Sequence, residues 1–103
     1  MSYFVYKLNP PRPTFAQDMT EPEARLMKEH ATYWGGLADK GIAIIFGPVM
    51  DPKGAWGLAV LECKDKAEVL ALGANDQVIK SGLGFELEVY PMLQAVLRKS
   101  VLR

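Results

Sequence analysis

The sequence predicts an α+β domain, and three observations carry that prediction. Alternating strands stand near both ends of the chain. A long helix opens on a capping box and carries a histidine on its apolar face. An apolar run then turns back on itself through a proline–glycine turn into a second strand. With a further short helix before the last strand, the order is β-α-β-β-α-β, the ferredoxin-like split βαβ pattern. It implies a four-stranded antiparallel sheet with both main helices on one face. Two such sheets packed face to face as a homodimer would cover the open face.

Residues 2–8 alternate, with aromatics and valine at high density, as a strand does. Asn9-Pro10-Pro11-Arg12-Pro13 ends it, because proline cannot donate to a ladder. Residues 9–20 read as a loop longer than usual, of the kind that covers a site. Pro10 and Pro13 also match a PxxP spacing, which here reads better as a stiff surface connection.

Thr20 and Glu23 form the capping box, and Pro22 suits a first turn. The helix should run to about Lys40, with Leu26, His30, Tyr33, Trp34 and Leu37 on one buried face. Gly35 and Gly36 inside it cost about 1 kcal/mol each relative to alanine, which predicts a close approach by backbone or ligand. Gly41 suits a left-handed C-terminal cap.

Residues 42–49 are nearly all apolar, which predicts a central strand buried on both faces. Asp51, Pro52 and Gly54 make the turn into a strand over 55–62. Asp65 and Glu68 make a second capping box, for a helix over about 66–74. Residues 75–84 read as a loop with one helical turn, which Asp76 can cap. Residues 85–92 alternate as the last strand. Leu93, Val96, Leu97 and Val101 then fit a short amphipathic C-terminal helix.

A chain of 103 residues is expected to form one domain, and 50% hydrophobic content is enough for a packed core. Acidic and basic residues balance at 12 each, so no excess positive charge points to nucleic acid or to an anionic membrane surface. No apolar run approaches the roughly 20 residues that span a bilayer, and the first residues lack the pattern of a signal peptide. Cys63 has no partner for an internal disulfide, which fits a reducing cytosol, and a buried thiol is its default.

His30 is the only imidazole. On an apolar stripe it is either a hydrogen-bonded structural residue or a general acid/base, since its unperturbed pKa of about 6.5 lies near neutrality. A carboxylate would fix its tautomer, and Asp51 and Asp76 are the loop candidates. One histidine and one cysteine make no zinc set, no phosphate-cradling glycine motif occurs, and no cofactor or metal is implied. Tyr33, Trp34, Trp56 and Phe46 are core residues by default, or walls of an aromatic pocket.

His30, Gly41, Gly47-Pro48 and Asp51 before a short hairpin, in that order and spacing, resemble the YCII-related proteins. Pro-Pro-Arg-Pro-Thr-Phe, the Met-Thr before the helix and the Glu29-His30 pair resemble the branch with a long first loop. The resemblance implies a dimeric α+β barrel and a His–Asp dyad, carried onto His30 and Asp76. Gln77 replaces the proline that usually follows that aspartate, and Met92 replaces an aromatic after Pro91. The expected function is cofactor-independent acid/base chemistry on a small cyclic or aromatic-derived molecule, by elimination, isomerisation or a lactone-type step. Tyr33, Trp34, Arg12, Phe15 and Asp51 are the expected binding residues. The rival expectation is a non-catalytic dimer that binds a small molecule.

Overall fold

A computed structural model describes residues 1–99. The elements are β1 (Ser2–Asn9), α1 (Phe15–Asp18), α2 (Glu21–Asp39), β2 (Ala43–Val49), β3 (Trp56–Cys63), α3 (Lys66–Ala74), α4 (Gln77–Lys80) and β4 (Glu86–Pro91). They form one four-stranded antiparallel sheet in the order β2-β3-β1-β4.

The period-2 alternation of β1 sorts its side chains. Phe4, Tyr6 and Leu8 are buried on the helix-covered face, opposite Leu61, Ala59 and Gly57 of β3. Tyr3, Val5 and Lys7 lie on the other face. Trp34 and Leu37 of α2, Val69 of α3, Val78 of α4 and Val89 of β4 complete the core. Each large side chain fully buried there contributes about 1.5–3 kcal/mol.

The local signals hold where hydrogen bonds realise them. Thr20 Oγ1 accepts from Glu23 N at 3.3 Å, and the Glu23 carboxylate accepts from Thr20 N at 2.8 Å. At the far end Gly41 has φ +78°, Gly41 N bonds Ala38 O and Ile42 N bonds Leu37 O. That is a Schellman motif, and it turns α2 directly into β2. At α3 the Asp65 side chain caps Glu68 N at 2.9 Å, but Glu68 reaches back to Lys64 N rather than to Asp65 N.

Three expectations are corrected. The apolar run at 42–49 is an edge strand, not a central one. A register irregularity between Ala43 and Ile45 makes Ile44 an extra residue, and Ile44 and Ile45 are exposed. The C-terminal helix is absent over residues 93–99, where Leu93, Val96 and Leu97 are exposed; Val101 lies outside the described residues. Among the described residues nothing stands within 4 Å of a Cβ built on Gly35 or Gly36. The close approaches occur instead at Gly73, against Leu87 and Tyr6, and at Gly54, against the backbone of Pro13.

Candidate functional site

The helix-covered face of the sheet does not close completely. Between α2 and the β2 side of the sheet lies a cavity of about 320 Å³. The sheet contributes Tyr6, Phe46 and Ala59 to its lining, α2 contributes Met27, His30 and Trp34, and Phe15 and Phe85 add two further aromatic walls. The walls are apolar and aromatic, as in most small-molecule sites.

His30 enters from the middle of α2. Its Nδ1 lies 2.9 Å from Asp76 Oδ1 and 3.0 Å from Asp76 Oδ2. Asp76 is fully buried. It sits at the N-cap of α4, where Oδ1 accepts from Val78 N at 3.2 Å. Trp34 Nε1 donates to Oδ2 at 2.8 Å, and the Tyr6 hydroxyl donates to the same oxygen at 3.0 Å. Burial alone would raise the Asp76 carboxyl. The hydrogen bonds from His30, Trp34 and Tyr6 outweigh burial and hold it below the usual range. Burial and the Asp76 charge push the Tyr6 hydroxyl upward, so it stays a donor.

An ionised carboxylate only accepts, so the hydrogen on the His30 ring belongs on Nδ1. That leaves Nε2 with the lone pair. Nε2 has no hydrogen-bond partner among the described residues, and no buried side-chain nitrogen or oxygen there lacks one, so Nε2 is an accessible atom on a side chain that lines the cavity. A nitrogen so held can accept a proton from a bound molecule and return it.

The other expected residues divide. Trp34 and Phe15 line the cavity. Tyr33 does not; its hydroxyl donates to Leu72 O at 2.6 Å and its ring supports Trp34 edge-on, with centroids 6.0 Å apart. Arg12 does not line it either. Its guanidinium grips both Glu23 oxygens at 2.8 and 2.9 Å and Asp18 Oδ1 at 2.7 Å. This clasp ties the strap over residues 10–20, including the unforeseen α1, to the start of α2. The hydrogen bonds from Arg12 come first among the causes that hold the Glu23 carboxyl down at about 2. Asp51 is not the partner of His30. It stays in its turn, accepting from Lys53 N at 2.8 Å and from Trp56 Nε1 at 3.1 Å. Phe46 and Trp56 do reach the cavity wall.

Tyr6 was missed as a site residue. The signal was available: it lies between Phe4 and Leu8 on the buried face, and a buried phenol must find a partner. Cys63 is buried in the core, and burial pushes its thiol up to about 11.

With this geometry in hand, the YCII-related domain family matches residues 1–93. The chain belongs to the YCII-related family. No curated protein sequence matches this YCII-related chain. Among solved structures, it is similar to 5-chloro-2-hydroxyhydroquinone dehydrochlorinase from Burkholderia phenoliruptrix, determined in complex with 2,5-dihydroxybenzoquinone. The identity is 20%, the match covers 92% of this chain and 96% of that one, and the TM-score is 0.64. That likeness shows the fold, a ferredoxin-like α+β protomer. Among the described residues of the YCII-related chain, no three His, Cys, Asp or Glu side chains are grouped to hold a metal ion, and no helix is long and apolar enough to cross a membrane.

Proposed function

We propose that this YCII-related protein is a cofactor-independent enzyme acting on a small cyclic or aromatic-derived molecule, with His30 as general base and acid and Asp76 as the residue that orients it. The observation that carries the proposal is the Nδ1–Asp76 hydrogen bond of 2.9 Å, made on the wall of an apolar cavity. His30 Nε2 takes a proton next to a carbonyl or hydroxyl, and the electron pair moves into the ring. In an elimination the pair then expels a leaving group. In an isomerisation the same proton returns at another carbon. The dehydrochlorinase of like fold is named for a reaction of the first kind, which supports the elimination arm.

The unit that works is read as a homodimer. Among the described residues the sheet face away from the helices has no cover, and Ile45 and Tyr90 stand 60% and 50% exposed on it. A second copy would bury both. A reducing cytosolic setting fits the unpaired Cys63 thiol.

The test is His30→Ala, assayed for turnover and for solvent exchange of an acidic ligand proton. Both should fall by about 10²- to 10⁴-fold, with an unchanged circular dichroism spectrum and an unchanged sedimentation mass of twice the chain. Loss of folding, or undiminished exchange, would remove His30 from the chemistry.

A further inference from the structure

The charges around the cavity narrow what it takes, an inference that rests on the acid/base reading but is tested apart from it. Among the described residues no lysine or arginine lines the cavity. Arg12, the cation of the strap, is spent on Glu23 and Asp18. Lys7 lies over the Trp56 ring at 4.8 Å and 4.0 Å from Glu88, on the sheet face away from the helices. Among the residues that line the cavity the ionisable side chains are His30 and Tyr6, and both are bound to the buried Asp76 carboxylate.

With His30 neutral, the site carries one net negative charge. An anionic ligand entering it loses water, meets repulsion and finds no cation to offset either cost. It could be held only against a protonated His30, and that would remove the base. An uncharged ring with a hydroxyl suffers none of this. Its faces meet Phe46, Trp34 and Phe15, and its hydroxyl donates to Nε2. A volume of about 320 Å³ is at the small end of ligand sites, with room for one ring and a few substituents.

We infer that the cavity selects an uncharged hydroxylated ring, of the phenol or quinol class, seated with its hydroxyl on His30 Nε2, and rejects the same ring bearing a carboxylate or phosphate. The selection is electrostatic, so a single added cation should invert it. Ala31 is exposed and lines the cavity one residue after His30, which makes it the place to add one.

The experiment is anaerobic calorimetry on the intact protein at neutral pH. The probes are 1,4-dihydroxybenzene and 2,5-dihydroxybenzoate, which differ by one carboxylate. The uncharged ring should bind the wild type tighter by roughly tenfold or more, about 1.4 kcal/mol by the affinity scale. Ala31→Lys should narrow or reverse that ratio, and Ala31→Gln should leave it unchanged. Equal or tighter binding of the carboxylated ring by the wild type overturns the inference, as does binding of neither probe at millimolar concentration. The wild-type comparison decides the matter even where a variant folds poorly. If the uncharged ring is preferred but is neither turned over nor exchanged with solvent, the acid/base proposal fails and the selectivity stands.

Discussion

Asp76 Oδ1 and His30 Nδ1 meet at 2.9 Å although 46 residues separate them in the chain. The cap of a four-residue helix on one side and the middle of α2 on the other bring them together. The same carboxylate accepts from Trp34, Tyr6 and Val78 N, so its charge is opposed by four donors. Asp76→Asn keeps the shape but turns an N–H₂ group toward some of those donors. Each buried donor left facing that N–H₂ group costs about 1–3 kcal/mol, and the His30 tautomer is no longer specified. Activity is expected to fall by about 10²- to 10⁴-fold, and the urea midpoint to drop markedly. Steady-state kinetics and equilibrium denaturation check both.

Trp34→Phe removes one donor. An aromatic ring remains, but it is smaller, and the indole N–H at 2.8 Å from Asp76 is lost. The expected cost in urea denaturation is about 1–3 kcal/mol for a buried acceptor deprived of a partner, plus the cost of the space the smaller ring leaves. The Asp76 carboxyl should also move back up toward the ordinary range, because one of the bonds holding it down is gone. Difference infrared titration of the carboxylate band, wild type against variant, reads that movement directly.

The acid limb of stability follows from the same carboxylates. Asp76 and Glu23 both have folded values below their unfolded ones, with Glu23 at about 2. A group depressed on folding binds fewer protons when folded than when unfolded. Its contribution is complete above the unfolded value, about 4 for a carboxyl, and is lost as pH falls through the folded value. The midpoint for urea unfolding is therefore expected to hold steady from pH 7 to about 5 and to decline between about 4 and 2. Arg12→Gln should make that decline shallower, because Glu23 then returns toward its usual range. An acid limb of the same slope in the variant would separate Glu23 from the effect.

The elements that local chemistry specifies were legible in the chain. The Thr20–Glu23 box, the Gly41 end, the Asp51–Gly54 turn and the alternation of β1 each rest on neighbours within a few residues. The position of β2 was not legible in the same way. An unbroken apolar run carries no parity, and the irregularity at Ile44 removes what little there was, so the run reads the same at an edge as at the centre. The periodicity of Leu93, Val96 and Leu97 misled for the opposite reason: a helical pattern without a surface to bury it makes no helix. His30 could be singled out because it is the only imidazole on a buried face. Its partner could not be chosen from spacing, since Asp51 and Asp76 both suit turns, and family resemblance supplied the preference. Arg12 read as a ligand residue because a cation in a long loop has no visible partner in sequence; in space its partner is the cap residue Glu23.

Gly35 and Gly36 give a test of whether anything outside the protomer reaches α2. Among the described residues of the protomer nothing stands within 4 Å of a Cβ at either position. Gly35→Ala and Gly36→Ala should each stabilise the helix by up to about 1 kcal/mol by propensity alone. A stabilised protein with unchanged sedimentation confirms that the space is open. A destabilised one, or a shift toward monomer, would mean that a second copy packs on those glycines.

Gly54 is the opposite case. Its φ of +129° excludes most side chains, and a Cβ there would stand 2.8 Å from Pro13 O and 2.9 Å from Pro13 Cα. The turn between β2 and β3 thus holds the strap by backbone contact, and the strap carries Phe15 to the cavity wall, where its ring meets Phe85 at 5.2 Å. Gly54→Ala adds backbone strain of about 1–3 kcal/mol and pushes Pro13 outward, while His30 and Asp76 stay untouched. Stability should fall by that amount in urea denaturation. Because the wall that the strap forms is loosened and the acid/base pair is not, ligand dissociation should speed up several-fold in stopped-flow while the chemical step, measured in single turnover, stays within about twofold. A slowed chemical step with unchanged dissociation would mean that the strap orients the reacting ring rather than enclosing it.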